Sequence, residues 1–413
     1  MLFADVIGQN EIKAQLTDMV QHNRLSHALL FLAKEGTGGL PLSLAFAQYI
    51  VCEKVQRSLT GNDISSDLFG SAPALFDEEP GRQQPIEILS DACGICSACT
   101  KAAALVHPDI HYSYPVLPKK SGDKPTSTDY IIAWREFIKQ LPYGNLYDWL
   151  QSINAENRQG NITAEECNDI IRKLSLKTFE SKYKVLIMWM PEMLGKEGNK
   201  LLKLIEEPPP NTLFILVAEN ESLILPTILS RCQLVKIPAL DNRSIAGQLV
   251  AKAGIDEEQA RQLAAISDGN YREALQQLNH AGEDWLQLIR EWLNAILKNG
   301  PIALVKWIDE TSKMGREKQK QFLRYFNHLV EMAVRIRILG EESEWAQSLP
   351  FTEKDFILRI NKMADISQQE AIVEELDKAS YYIERNANAK ILFHALSLKL
   401  FHVLRDKATV KPW

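Results

Sequence analysis

The sequence has few cysteines, no basic excess and no long apolar run. Six cysteines among 413 residues are too few for the disulfide framework of a secreted protein. With 47 basic and 53 acidic side chains, the net charge of −6 excludes a whole-chain field that recruits nucleic acid. No run of about 18 apolar residues occurs, so we expect no membrane-spanning helix. The first residues, MLFADVIGQNEIK, lack the regions of a signal peptide, and we expect a cytoplasmic protein.

What is present is the composition of an ordinary globular protein. A hydrophobic fraction of 46% and a charged fraction of 24% exclude disordered, collagen-like and fibrous chains. At about 150 residues per domain, the length predicts roughly two to four domains.

Apolar runs and helical stretches alternate through the first part of the chain. Ala28–Leu32 is predicted to be a buried strand, followed by a glycine-rich turn and a helix to about Lys54, an order typical of nucleotide-binding α/β domains. Further strands are predicted at Val185–Trp189, Leu213–Ala218 and Leu234–Ile237. This alternation predicts a mostly parallel sheet covered by helices on both faces.

Two helices of this part have recognisable ends. The first is predicted over Ile162–Leu174, with Thr163 as its N-cap and Glu166 three residues later. The second, Asn199–Glu207, is stopped by the prolines that begin at Pro208.

Two stretches break this pattern, and a third region contains only helical signals. Residues 57–92 and about 115–160 are predicted to be insertions, the first of them on the surface, and the sequence assigns no role to either. Beyond about residue 240, one-sided apolar stripes are typical of a helical bundle core. We therefore predict an α/β domain over 1–239, a small helical domain over 240–282 and a helical domain over 283–413.

Several segments, in order, resemble bacterial clamp-loader subunits of the AAA+ class. They are DVIGQ at 5–9, RLSHA at 24–28, the glycine turn, the cysteine cluster at 93–99, HPD at 107–109, LLKLIEEPP at 201–209, LPTILSRC at 225–232 and GNYREAL at 269–275. The resemblance covers roughly residues 1–300, and the last third matches only in helical character. It implies an AAA+ α/β module, a small helical lid and an all-α C-terminal collar domain.

The glycine turn lacks the side chains that a working phosphate-binding loop needs. Such a loop, G-x-x-x-x-G-K-[ST], uses lysine to reach the β and γ phosphates and a hydroxyl to hold Mg²⁺. When the chain is aligned on Gly36 and Gly38, Gly39 stands in the place of lysine and Leu40 in that of serine or threonine. We therefore predict a turn that packs the helix on the sheet and binds no ATP.

The acidic pair expected after the third strand is also missing. In the family this strand ends in Asp-Glu, whereas here Trp189 and Met190 occupy those positions. Glu192 lies three residues beyond the expected acid and is predicted to point elsewhere. We expect no ATP hydrolysis by this chain.

Two arginines have roles implied by the resemblance. Arg231 matches the arginine finger that projects into the ATP site of a neighbouring subunit, and the alternative is a surface arginine paired with a local carboxylate. Arg272 matches the second sensor arginine, for which we favour a structural ion pair here. Glu219 and Asn220 occupy the place of the first sensor.

A degenerate site combined with a retained finger resembles the non-catalytic, delta prime type of subunit. That type implies membership of the DNA polymerase III complex, with gamma/tau-type motor subunits and a delta subunit as partners. Through the complex it implies contact with the sliding clamp and primed DNA. The alternatives are an ATP-hydrolysing motor-type subunit and a zinc-containing DNA-binding module.

Three cysteines, Cys93, Cys96 and Cys99, place three thiolates on one tight loop, and tetrahedral Zn²⁺ takes four ligands. The preferred fourth ligand is Cys52, since the family has four cysteines in these places, separated by a shorter gap. His107 is the alternative ligand. We predict a structural zinc site, with redox-active thiols and plain buried cysteines as alternatives.

Overall fold

The computed structural model describes residues 1–60, 89–118, 120, 122–155, 158, 160–279, 285–343, 346, 349–384 and 387–405. The chain divides into two compact units, Met1–Leu278 and Asn279–Trp413. Most of the insertion predicted at 57–92 lies outside the described residues. The three-domain division stays a prediction.

The first unit is built on a five-stranded sheet in which every pairing is parallel. The strands are β1 Ala28–Ala33, β2 Ile110–Ser113, β3 Lys184–Trp189, β4 Thr212–Ala218 and β5 Gln233–Ile237. Their order across the sheet is β2-β3-β4-β1-β5. All the strands predicted from apolar runs are present, and the predicted α/β architecture is confirmed.

Helices surround the sheet because both of its faces are apolar. Along β1, Leu29 and Phe31 join one buried cluster, whereas Ala28 and Leu30 join the cluster on the other side. The helices of the first unit are α1 Asn10–Gln21, α2 Gly39–Val51, α3 Glu53–Thr60, α4 Ser97–Ala103, α5 Ile131–Gln140, α6 Leu146–Ser152, α7 Ala164–Ser175, α8 Leu202–Glu206, α9 Pro226–Leu229, α10 Asn242–Ala253, α11 Glu257–Ile266 and α12 Tyr271–Asn279.

The N-cap predicted for α7 is present, but its capping box is not. Thr163 accepts a hydrogen bond from the backbone N–H of Glu166 at 3.1 Å. The Glu166 carboxylate instead accepts from the backbone N–H of Ser127, because that loop packs over the start of the helix. The helix predicted over Asn199–Glu207 is shorter, since residues 191–201 form a 3₁₀ helix.

The stretch at 115–160 is more ordered than the sequence indicated. The irregular structure expected here is wrong for residues 127–152, which hold a 3₁₀ turn followed by α5 and α6. Trp134 and Trp149 are fully buried, and Tyr114 stacks on Trp134 with ring centroids 4.0 Å apart. Because these rings pack around one point, the positions of the aromatic residues in the sequence do not follow a helical period.

Helices α10, α11 and α12 form a small cluster with its own core. Ile245, Leu249 and Ala260 are completely buried there. Ile7 and Tyr143 from the α/β part belong to the same cluster, so this helical segment packs directly on the sheet-bearing part.

The second unit is helical throughout its described residues, as predicted. Its helices are α13 Trp285–Asn294, α14 Gly300–Thr311, α15 Arg316–Leu339, α16 Phe351–Met363, α17 Ile366–Glu384 and α18 Ala389–Arg405, with a π-helical turn at Ala295–Asn299. Trp292 and Trp307 stack at 4.8 Å in its core. Among the helices of the described ranges, none has the length and apolarity needed to cross a membrane.

Candidate functional site

The glycine turn connects β1 to α2 and needs glycine for reasons of backbone geometry. Gly36 and Gly38 have φ of 70° and 97°, in the left-handed region that glycine adopts at no steric cost. A Cβ atom on Gly39 would lie 2.5 Å from the Cβ of Ala33. These glycines are therefore required by the fold of the turn itself, whether or not a phosphate binds.

The first turn of α2 has few groups that could bind an anion. Leu40 is buried and apolar, and Gly39 has no side chain to carry a charge. Pro41 follows directly and has no N–H, which removes one of the first-turn donors that bind phosphates at helix N-termini. Pro41 was not among the residues predicted from the sequence, although it stands beside the positions of the missing lysine and hydroxyl.

The end of β3 carries buried apolar side chains where acidic side chains were expected. The Trp189 ring is buried against Trp134, with centroids 5.3 Å apart. Met190 has φ of 59° and donates its N–H to Val217. The metal-holding position expected after this strand thus carries two apolar side chains.

Glu192, the nearest carboxylate, faces the loop after β4. It accepts backbone hydrogen bonds from Glu219 at 2.6 Å and Asn220 at 2.9 Å. Burial raises the pKa of this carboxyl above its ordinary value. Glu192 therefore organises the residues at the first-sensor place.

The space above the glycine turn is small. The cleft there has a volume of about 30 Å³, which accommodates about two water molecules. Its walls are the turn, the ends of three strands and residues 142–144. Tyr143 covers Gly38, and the Asn270 side chain lies so close to Gly36 that a Cβ there would collide with it.

Arg272, at the second-sensor place, is buried in a network of ion pairs. Its side chain is 4% exposed, and its Nη2 lies 2.7 Å from Oδ1 of Asp148. Nε contacts the other oxygen of the same carboxylate, and Nη1 lies 2.9 Å from Glu35. Asp148 and Tyr143 could not be predicted from the sequence as parts of this site. Asp148 lies 124 residues from Arg272, and no local motif connects the two.

Arg231 lies just after α9 with a partly exposed side chain. Its Nε and Nη2 contact Glu206 at the end of α8, and its Nη1 donates to the carbonyl oxygen of Thr227 at 2.6 Å. The side chain is 31% exposed. The guanidinium is therefore held in one orientation by local partners while it remains accessible from outside.

The structure brings the four predicted cysteines together. Cys52 caps the end of α2, and Cys93, Cys96 and Cys99 lie on and before α4. The four sulfur atoms all lie within 4.8 Å of one another, and Cys93 and Cys99 are 3.9 Å apart. Four thiolates around tetrahedral Zn²⁺, at 2.3 Å each, are separated by about 3.8 Å. The donor set and its spacing therefore fit a metal such as zinc.

The alternative ligand, His107, does not belong to this group. Its Nδ1 accepts from the backbone N–H of Asp109, and its Nε2 lies 3.2 Å from Glu180. Burial lowers the pKa of His107. These contacts place the ring at the start of β2.

Hydrogen bonds between the thiols shift their pKa values in opposite directions. The hydrogen bond from Cys99 lowers the pKa of Cys52, and the same contact raises the pKa of Cys99. Backbone N–H groups of Cys93, Cys96 and Cys99 also point at cysteine sulfurs, at 3.3–3.4 Å. Such donors stabilise thiolates, the form in which cysteine binds a metal.

Comparison with known proteins gives consistent similarities. The family model described as "DNA polymerase III, delta subunit" matches residues 60–241. The tau subunit of DNA polymerase III from Bacillus subtilis is 25% identical over 285 residues, which are 68% of this chain and 37% of that protein. The delta' subunit of the same organism is 24% identical over 268 residues, 65% of this chain and 58% of that protein.

A third relative is the delta' subunit from Haemophilus influenzae. It is 28% identical over 167 residues, 40% of this chain and 50% of that protein. The chain thus spans between 37% and 58% of the length of these three relatives. The residues matched by the family model, 60–241, include Cys93, Cys96 and Cys99 and the strands β2 to β5. The chain is therefore similar to the clamp-loader subunits of DNA polymerase III.

Proposed function

We propose that this chain is a non-catalytic, delta prime-like subunit of the bacterial DNA polymerase III clamp loader. It neither binds nor hydrolyses ATP, and it supplies Arg231 to the ATP site of an adjacent motor subunit. The observation that carries the proposal is the glycine turn, where Gly39, Leu40 and Pro41 replace the lysine, hydroxyl and N–H that phosphate transfer needs. The apolar end of β3 supports it, because Trp189 and Met190 stand where the family has the acidic pair that holds Mg²⁺.

Arg231 has the properties that a donated catalytic arginine requires. A guanidinium is planar and permanently charged, and its fork of donors matches the oxygens of a transferring phosphoryl group. Here it is partly exposed and oriented by Glu206 and Thr227, so few rotamers remain to be frozen when a neighbour docks. Such an arginine is worth about 10³–10⁵ in turnover.

The proposed partners follow from the similarity to DNA polymerase III subunits. We place gamma/tau-type motor subunits beside the Arg231 face, with a delta subunit in the same complex and the second unit serving as a helical collar. The assembly would load a sliding clamp on primed DNA. The net charge of −6 agrees with DNA contact made through the assembly rather than by this chain alone.

The cysteine cluster is proposed to hold a structural zinc ion. Cys52, Cys93, Cys96 and Cys99 would be its ligands, and the ion would replace thiol protons and join the end of α2 to α4. A reducing compartment such as the cytoplasm keeps such thiols available to the metal.

Reconstitution with candidate motor subunits tests the proposal. Adding the wild-type chain should raise ATP turnover, and the Arg231→Ala variant should lower turnover at the served site by about 10³-fold or more. Arg231→Lys keeps the positive charge but loses the forked arrangement of N–H donors, so its turnover should lie between those of Arg231→Ala and the wild type. Arg243→Ala, an exposed arginine on α10, is the matched control. Equal turnover with wild type and Arg231→Ala would overturn the finger assignment.

A motor-type function is the second candidate, because the tau relative matches as well as the delta' relative does, at 25% against 24% identity. The two classes differ in whether the chain alone binds nucleotide. Saturable binding of ATP by the isolated chain would favour the motor class.

A further inference from the structure

We propose that the segment Pro142–Asp148, called here the occluding segment, is a built-in occupant of the degenerate nucleotide site. Its Tyr143 lines the cleft above the glycine turn, and its Asp148 binds Arg272 of α12, so that no nucleotide is needed to hold α12 against the turn. This inference rests on the proposed absence of ATP binding and does not depend on the role of Arg231. It also gives a function to part of the stretch at 115–160.

Tyr143 contacts three parts of the first unit at once. Its ring carbon Cε1 lies 3.1 Å from the point where a Cβ of Gly38 would stand, so the ring rests on the turn. Its hydroxyl oxygen accepts the backbone N–H of Ile7 at 2.8 Å. The ring also meets Tyr271, at the start of α12, edge-on at 5.1 Å. With 6% of its surface exposed, Tyr143 occupies space that a ligand of the turn would need.

Asp148 supplies negative charge where a phosphate would otherwise supply it. Both of its carboxylate oxygens face Arg272, on the first turn of α12, in a fork-to-fork arrangement. Glu35, on the glycine turn itself, adds a second carboxylate at 2.9 Å. The chain's own acids therefore neutralise the arginine at the second-sensor place.

The occluding segment is rigid enough to act in this way. Asn145 and Asp148 form a reciprocal capping box at the start of α6, with hydrogen bonds of 3.0 and 3.1 Å. Gly144 lies against Phe137, where a Cβ would approach the ring to 2.8 Å. Asp148 thus reaches Arg272 from a fixed position.

Direct contacts between α12 and the turn complete the closure. The backbone N–H of Tyr271 donates to the carbonyl oxygen of Gly36 at 3.1 Å, and Asn270 packs on the same glycine. A nucleotide can enter only if Tyr143 leaves and these contacts open. The closed arrangement of turn and α12 is therefore the ground state of the chain without ligand.

Hydrogen–deuterium exchange on the full-length chain tests the proposal. The wild-type chain should show the same protection over residues 36–42 and 271–279 with and without millimolar Mg²⁺–ATP. Asp148→Asn, which keeps the cap but removes the charge, should raise exchange over 271–279 by about tenfold or more. Tyr143→Phe, which removes the acceptor for Ile7, should raise exchange around residue 7 by a smaller factor. Asp129→Asn, a capping aspartate far from any arginine contact described here, is the control and should leave 271–279 unchanged.

Two outcomes would overturn the proposal. One is an exchange rate over residues 271–279 in the Asp148→Asn variant that equals the rate in the wild-type chain. The other is an ATP-induced gain of protection in the wild-type chain, a test that needs no variant to fold. A gain of protection with ATP would also contradict the proposed absence of ATP binding, whereas wild-type exchange in Asp148→Asn would overturn the role of the occluding segment alone. Neither result bears on the arginine finger, which is tested by turnover in the reconstituted complex.

Discussion

The glycine turn and the cysteine cluster lie at opposite ends of the same helix, α2. They differ in whether the side chains that would bind a ligand are present. The turn retains its backbone, with glycines at positive φ, but has lost the lysine, hydroxyl and acids of its chemistry. The cluster retains all four sulfur ligands within 4.8 Å. Under the proposed function, the glycine turn keeps its fold without a nucleotide because the chain's own side chains occupy the space above it. A metal site has no such substitute, because uncharged side chains cannot replace four thiolate–metal bonds.

The largest effect is expected from breaking the cysteine cluster. Cys96→Ser should abolish stoichiometric zinc and lower the free energy of unfolding of the first unit by more than about 4 kcal/mol, the range reached when a metal site is lost. Metal content by atomic spectrometry, together with thermal melting, measures both. Cys167→Ala, a buried cysteine outside the cluster, should keep the metal. Full zinc content in Cys96→Ser would show that the four thiolates do not form the site.

The next effect concerns the buried ion pair between Asp148 and Arg272. Asp148→Ala leaves Arg272 buried with one of its two carboxylate partners removed, and we expect a loss of about 3 kcal/mol. Arg272→Met in the same background should recover part of that loss, because the uncompensated charge disappears. Chemical denaturation of the four chains of this double-mutant cycle gives the coupling energy. Additive single effects would mean that the two residues do not act as a pair.

A smaller effect is expected from Glu192, the remaining carboxylate beyond β3. Burial raises its pKa, so the folded chain holds this proton at pH values where the unfolded chain has lost it. Stability contributed by the protonated form therefore falls as the pH rises from the unfolded pKa, about 4.3, through the folded pKa.

Glu192→Gln should remove this pH dependence, because the amide side chain does not titrate. Denaturation midpoints measured between about pH 4 and 7 check it. A pH profile identical in wild type and variant would contradict the assignment.

The smallest effect belongs to the Arg231 pair. Glu206→Gln and Arg231→Ala should each change the free energy of unfolding by less than about 1 kcal/mol, since both side chains are partly exposed. Thermal melting of the isolated chain measures this. A larger loss would mean that reduced turnover of a reconstituted complex with Arg231→Ala reflects misfolding.

The sequence was informative where short motifs carry the geometry. The buried strands, the N-cap at Thr163 and the ligand group of Cys52, Cys93, Cys96 and Cys99 could all be predicted. Apolar runs and C-x-x-C spacing are signals that a short stretch of sequence contains. The assignment of Cys52 as the fourth ligand rested on the family resemblance.

The occluding segment could not be predicted in the same way. Its contacts join residues far apart in the chain, such as Ile7 and Tyr143, which are 136 positions apart. The aromatic residues of α5 and α6 pack around one point, and their spacing in the sequence has no helical period. The sequence therefore predicts irregular structure where these two short helices lie. Only tertiary packing shows that Asp148 reaches Arg272.

The central claim is that the glycine turn no longer serves ATP, and the most direct measurement is made on the purified chain without partners. Titration with Mg²⁺–ATP by calorimetry, with a turnover assay on the same preparation, should give no saturable binding and no hydrolysis. Saturable one-to-one binding, or turnover that follows the chain through purification, would contradict the account.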